Sequence, residues 1–272
     1  MSFTRPLKVS QITNVGANQT ATLGLPVGAM TYESVNMKLT DIDKSAVTEI
    51  HVKANSKPIQ SYKSVADLEA IQKFYGYHVA SDEIELTFKR KHFTSAAQAR
   101  VFNMGVYDLN TAQIEFNIGA ATGSPAIDAY APRYSHTKNG QVHADANGLG
   151  SITKVRNFTY GATAAGDFEI ENLPKEMFLQ ALHLKSDKIE KVRIEVNGQT
   201  IWELSKARMQ DYLKRSGRNP QSGWYHVDWM TDNELGNQVS LQGLSDFRLI
   251  LEMSGADTIV AYTEYLSGLG GI

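Results

Sequence analysis

Apolar and polar residues alternate through Val47–Ala54, placing Ile50, Val52 and Ala54 on one face and charged or polar side chains opposite. The same alternation returns at Ile189–Val196, where Val192, Ile194 and Val196 share a face, at an offset of 142 (189 minus 47) without a gap. Each run predicts a strand buried on one side. Asn197-Gly198 is a strong short-hairpin signal because both residues tolerate positive φ, and Asn55-Ser56 is a weaker form of it. The apolar return begins at Ile59 and at Ile201.

A helix is predicted after each hairpin. Ser64 caps the first, Asp67 completes a capping box, and Val65, Leu68, Ile71 and Tyr75 recur at helical spacing before Gly76 stops it. Ser205 caps the second, Leu204 and Met209 take the hydrophobic-staple positions, Tyr212 and Leu213 continue the apolar stripe, and Gly217 ends it. Serine to glycine is 12 positions in both copies (76 minus 64; 217 minus 205). A strand, a turn, a second strand and a helix of equal length read as a tandem duplication.

The remaining segments extend it. Leu7–Thr22 suits a leading arm or edge strand, and Leu25-Pro26 matches Leu173-Pro174 at an offset of 148 (174 minus 26). Val35, Met37 and Leu39 alternate as Leu182 and Leu184 do, and Ile84, Leu86 and Phe88 form a half-buried strand whose counterpart is Trp224–Trp229. Ser95–Arg100 suits a helical turn, with the polar stretch Asp232–Gln238 in its place in the second copy. Gly105, Asp108 and Leu109 match Gly243, Asp246 and Phe247 at an offset of 138 (243 minus 105). Gln113–Ile118 and Phe247–Met253 follow as strands, and Ile127-Asp128-Ala129-Tyr130 repeats as Ile259-Val260-Ala261-Tyr262 at 132 (259 minus 127). Offsets that fall in order are those of a collinear repeat with loop deletions.

Many short strands with turns between them, and too few helices for parallel crossovers, predict an all-β fold. Two tandem eight-stranded jelly-roll β-barrels, each with one short inserted helix, fit the count. The expected division is an N-terminal arm over 1–10, a first jelly roll over 11–135, a linker over 136–150, a second jelly roll over 151–267 and a C-terminal tail over 268–272.

With 272 residues, each half is long enough for its own core. A net charge of −2 supplies no global field toward nucleic acid or an anionic membrane. The absence of cysteine removes disulfides and thiolate chemistry. No signal-peptide core opens the chain and no spanning run of about 18 apolar residues occurs, so a soluble product made in the cytoplasm is expected.

Candidate chemistry is sparse. The seven histidines, His51, His78, His92, His136, His143, His183 and His226, include no two within four positions, so the histidine pair of a cupin metal site is missing. Nucleophile-elbow, P-loop and dinucleotide-binding signatures are missing too, and Gly268–Gly271 opens no helix. Asp41 with Asp43, and Asp82 with Glu83, read as solvated loops. Lys89-Arg90-Lys91 reads as a solvated rim. Trp229 shares the strand parity of Tyr225 and Val227 and is assigned to packing; Trp224 falls on the opposite face and is the candidate subunit contact.

The chain resembles the double jelly-roll major capsid proteins of the corticoviruses, tailless icosahedral bacteriophages with an internal membrane. The resemblance rests on Leu25-Pro26-Val27-Gly28 after a short arm, on Ile59–Leu68 running through Ser61-Tyr62-Lys63 into the helix, and on Phe102, Gly105, Leu109 and Thr111 before Ile114–Phe116. It covers about residues 10–267. It implies a structural, non-enzymatic virion protein forming homotrimers, six barrels to a pseudo-hexagonal tile of an icosahedral shell. Implied partners are neighbouring capsomers, penton proteins and membrane-associated virion proteins, without specific nucleic acid and without membrane insertion. The family also implies calcium at subunit interfaces; no ligand set transfers residue by residue. Arg5 and Lys8 are candidates for the side facing the membrane. The alternatives are a tandem β-sandwich that binds carbohydrate or a receptor, and a β-sandwich hydrolase with a dispersed acidic site.

Overall fold

The computed structural model describes residues 4–28, 30–95, 99, 104–105, 109–135, 137–138, 141–142 and 152–268. The chain divides into two compact units: Met1–Gln72, Tyr77–Arg156 and Ser267–Ile272 in the first, Lys73–Gly76 with Asn157–Leu266 in the second.

The first unit contains β1 (Arg5–Val9), β2 (Gln11–Thr13), β3 (Gln19–Leu25), β4 (Met30–Tyr32), β5 (Ser34–Ile42), β6 (Val47–Ala54), β7 (Lys57–Ser64), β8 (Glu83–Thr87), β9 (Met104–Gly105), β10 (Ala112–Ile118) and β11 (Ala121–Ser135). One face runs β8-β5-β11-β4-β9, with β1 also on β11, and the other runs β7-β6-β10-β3-β2. Period-two patterning builds the core. Ile50, Val52 and Ala54 of β6, Ile114 and Phe116 of β10, and Val35 and Met37 of β5 are all buried, while neighbouring residues such as Glu49 and Lys53 are not. Helix α1 (Val65–Phe74) follows β7, with the Asp67 N–H donating to Ser64 Oγ at 3.2 Å as the cap requires. Its end is a left-handed turn. Gly76 has φ +75°, its N–H donates to Lys73 O at 3.0 Å, and the Tyr77 N–H donates to Gln72 O at 2.9 Å.

A short hairpin, β12 (Thr137–Lys138) with β13 (Gln141–Val142), lies in the predicted linker, most of which falls outside the described residues. Strand β14 (Ile152–Ala162) follows. The second unit then contains β15 (Gly166–Ile170), β16 (Phe178–Lys185), β17 (Ile189–Val196), β18 (Gln199–Ser205), helix α2 (Lys206–Arg215), β19 (Trp224–Asp228), β20 (Val239–Ser240), β21 (Phe247–Met253) and β22 (Asp257–Ser267). One face runs β19-β16-β22, with β20 on β16, and the other runs β15-β21-β17-β18. Helix α2 ends as α1 does: Gly217 has φ +76°, its N–H donates to Lys214 O at 3.0 Å, and the Arg218 N–H donates to Leu213 O at 3.0 Å.

The hairpins correspond down to their irregularity. In the first, Val52 pairs with Gln60 and Lys53 with Pro58, so Ile59 is an extra residue; in the second, Ile194 pairs with Trp202 and Glu195 with Thr200, so Ile201 is extra. Both bulges sit at the same place, 142 apart (201 minus 59). Their turns also agree, since Asn55 Oδ1 accepts from the Asn110 and Thr111 N–H groups and Asn197 Oδ1 from those of Ser245 and Asp246. The hairpin φ values are positive, 46° and 67° at Asn55 and Ser56, 49° and 76° at Asn197 and Gly198.

Three expectations change. Ala112 faces Ala54 and Phe247 faces Val196, so β10 and β21 correspond at 135 (247 minus 112). Aligning Leu109 with Phe247 at 138 slips by three, because it joins similar residues of loops whose lengths differ. Tyr212 does not continue a buried stripe: Met209 and Leu213 are buried, and Tyr212 is 44% exposed. Strand β19 does not alternate, since all five of its residues are buried. In the predicted turn at Ser95–Arg100, the Ala99 N–H donates to Ser95 O at 2.9 Å; residues 96–98 and 100 lie outside the described residues.

Candidate assembly sites

Sheet register places the same cross-strand row in each unit. In the second, His183 of β16 faces His226 of β19 on one side and Tyr262 of β22 on the other, with Trp224 one step along, opposite Lys185. In the first, Asn36 of β5 faces Glu85 of β8 and Tyr130 of β11, with Glu83 opposite Lys38. Tyr262–His183–His226 therefore corresponds to Tyr130–Asn36–Glu85, and Trp224 to Glu83.

The row of the second unit is filled. Phe74 stacks on His226 with ring centroids 4.2 Å apart and meets His183 edge-on at 5.1 Å; Tyr75 meets His183 edge-on at 5.9 Å. This cover is why β19 is buried on both faces. Trp224 stacks on His226 at 5.9 Å and is 4% exposed, so it packs within its own unit instead of offering a subunit contact.

The imidazole protons can be assigned from the bonding. The Gln221 N–H donates to His226 Nε2 at 3.3 Å, leaving the His226 proton on Nδ1, 2.8 Å from His183 Nδ1. His183 then carries its proton on Nε2, which faces Glu264 Oε1 at 3.7 Å. Tyr75 donates its hydroxyl to Glu264 Oε2 at 2.8 Å. Burial, reinforced by the neighbouring His183 and opposed by Glu264, holds His226 well below the ordinary histidine pKa. Beside this chain, Arg218 lies 5.4 Å over the Tyr75 ring and donates to Asp228 Oδ2 at 2.6 Å, Asn233 Oδ1 at 2.7 Å and Met230 O at 2.7 Å.

The corresponding row of the first unit is open. It borders a cavity of about 170 Å³ lined by Asn36, Gln72, His78, Glu83, Glu85 and Tyr130, among others. Glu85 Oε1 accepts from Lys91 Nζ at 2.7 Å, and the Gln72 side chain donates to Glu85 O at 2.5 Å. Burial first, then the charges of Glu83 and Glu85, push the Tyr130 phenol above its ordinary pKa, as two carboxylates facing it should.

Other sequence candidates resolve into structural roles. Asp43 accepts from the Ser45 N–H at 2.8 Å and caps a short helical turn, Asp41 accepts from the Ser124 N–H at 3.0 Å, and Asp82 pairs with Lys38 at 3.2 Å. Lys89-Arg90-Lys91 is not a free basic rim: Lys89 pairs with Glu33 at 3.3 Å, Lys91 with Glu85, and Arg90 is buried. Trp229 meets Trp202 edge-on at 6.2 Å, in a cluster that Tyr212 joins at 5.8 Å. His136 and His143 lie outside the described residues. The His183–His226 contact escaped a search for histidines close in sequence, since 43 positions separate them; strand pairing alone brings them together. Among the described residues no group of three or more histidine, aspartate or glutamate side chains is placed to hold a metal ion. The calcium implied by the resemblance therefore finds no single-chain donor set there. Among the described residues no helix is long and apolar enough to cross a membrane.

Two successive jelly rolls with matched hairpins, helices and rows define a double jelly-roll capsid protein. The chain belongs to the viral coat protein P2 family: residues 6–138 match the family's N-terminal domain and residues 152–269 its C-terminal domain. It is 24% identical over 269 residues to the major capsid protein P2 of Pseudoalteromonas phage PM2, covering 96% of each chain. The crystal structure of the bacteriophage PM2 protein matches at a TM-score of 0.88 with 23% identity, over 99% of this chain and 100% of that one. The fold extends to the major capsid protein of STIV, at a TM-score of 0.66, 12% identity and full coverage of both chains. The protein is a structural component of a virion coat.

Proposed function

We propose that this chain is the repeating subunit of a homotrimeric, pseudo-hexagonal capsomer that tiles an icosahedral shell over an internal membrane. The observation that carries this reading is the duplicated unit. Two equivalent barrels per chain turn a threefold assembly into six similar barrels, a near-hexagonal outline from three chains. Fusing the copies lets each barrel diversify its edges independently, as the two rows have done. Vertex and membrane-associated virion proteins are the further partners on this reading, and the role assigned is structural, with no catalytic step. Calcium on this reading bridges donors from different chains.

Light scattering on the purified protein, with and without a calcium chelator, tests the reading. A mass near three chains supports the capsomer, and its loss on chelation assigns bridging metal. A monomer in both conditions overturns the trimer.

A further inference from the structure

Resting on the trimeric reading, we propose that the cavity of the first unit receives the C-terminal end of α2 from a second copy of this chain, with Arg215 of that copy entering beside Glu83 and Glu85.

The internal repeat supplies the argument. In the second unit the row Tyr262–His183–His226 is filled by the end of a helix, Phe74 and Tyr75. The equivalent row of the first unit, Tyr130–Asn36–Glu85, borders an open cavity. A helix end suited to fill it exists on each copy. Helices α1 and α2 are both ten residues long, follow a serine cap and end in the same glycine turn. Arg215 therefore corresponds to Phe74 and Ser216 to Tyr75, each at 141 (215 minus 74; 216 minus 75). Whereas Phe74 and Tyr75 are buried, Lys214 and Arg215 are exposed.

Both sides of the contact have changed in the same sense. Where the second unit offers His226, itself stacked on Trp224, to a phenylalanine, the first has carboxylates at the equivalent positions, Glu85 and Glu83, to offer an arginine. An aromatic pairing has become an ionic one, and a guanidinium can engage carboxylate oxygens through two parallel bonds. The cavity matches a guanidinium and the last atoms of its stem in size. Lys91 already pairs with Glu85 and its side chain is 44% exposed, so it can swing aside, while Glu83 lines the same cavity beside Tyr130 as a second carboxylate. Such a contact joins different patches of two copies and is heterologous, the kind that closes into a ring under threefold rotation.

The absence of native cysteine permits a clean test. A full-length chain carrying Arg215→Cys is mixed with one carrying Glu83→Cys, dissociated, reassembled and treated with a short bismaleimide, whose span replaces that of the two lost side chains. A cross-linked two-chain species that neither chain forms alone is expected. In parallel, Arg215→Glu should shift the light-scattering mass from three chains toward one, and combining it with Glu83→Lys and Glu85→Lys should restore three. Intact trimers that yield no cross-link, and that survive Arg215→Glu unchanged, overturn this docking while the trimeric reading stands. A monomeric wild-type chain removes both.

Discussion

Arg218 and Asp228 form an ion pair shut away from water: Nε lies 2.6 Å from Oδ2, and the side chains are 2% and 0% exposed. The other guanidinium nitrogens are occupied by Asn233 and Met230, and Asp228 Oδ1 accepts from the Met230 N–H at 2.8 Å. Such a pair is costly to break from one side because the surviving charge stays buried. Arg218→Leu should therefore destabilise the protein by about 3–5 kcal/mol. The double variant Arg218→Leu, Asp228→Leu should recover part of that loss. Urea unfolding of the three proteins measures both, and a single variant within about 0.5 kcal/mol of wild type would falsify the assignment.

Acid should weaken the second unit through His226. Both of its nitrogens are engaged, one accepting from Gln221 and the other facing His183. Burial, the largest cause, keeps its folded-state pKa depressed, while the unfolded chain takes up the proton below about pH 6.5. The unfolded state thus binds more protons on the acid side. The histidine's contribution is complete above about pH 6.5 and declines below it by about 1.4 kcal/mol per pH unit. Glutamine can donate and accept in the same places without titrating, so His226→Gln should flatten the stability profile between pH 6.5 and 5 by about one proton. Parallel profiles for the two proteins would contradict the buried, neutral imidazole.

The two hairpin turns make a matched pair. At φ 49° Asn197 occupies the left-handed region, and its Oδ1 accepts from the Ser245 N–H at 3.2 Å and the Asp246 N–H at 3.1 Å. Asn197→Ala loses the bonds and strains the backbone, for an expected cost of about 2 kcal/mol. Asn197→Gly loses only the bonds and should cost about half as much. Asn55, at φ 46°, should show the same order of severity by denaturant titration. A reversal of that order at either turn counts against the shared role.

The bulge residues should behave oppositely. Ile59 is fully buried and Ile201 is 38% exposed. Truncation to alanine is expected to cost about 2–5 kcal/mol at Ile59 and under about 0.5 kcal/mol at Ile201. Equal costs, measured on the dissociated chain, would mean that one of the two isoleucines is misplaced.

Much of the architecture was legible because one-sided burial writes itself into sequence. The alternation at Ile50, Val52 and Ala54, the serine caps and the stop glycines each encode local geometry, and repetition fixed their order. The internal rows were not legible. Whether a polar side chain such as His183 is solvated or covered depends on what packs over it, and Phe74 lies more than a hundred residues upstream. For the same reason Trp224 read as an outward-facing ring. The loop match at Leu109 failed because loops carry little periodic constraint, whereas the pairing of Ala112 with Ala54 is fixed by the ladder.

The extra residue opposite Val52, and again opposite Ile194, bears on ancestry. A bulge absorbs its extra residue locally, so the side chains beyond it keep their partners and their facing, and nothing in the ladder dictates where along a hairpin it must fall. Its presence at the same point in both hairpins dates it to the single barrel that existed before the gene doubled. The rows on the opposite sheet, where Glu85 stands against His226, diverged afterwards. The bulge is the older mark, and the difference between acid and imidazole the younger.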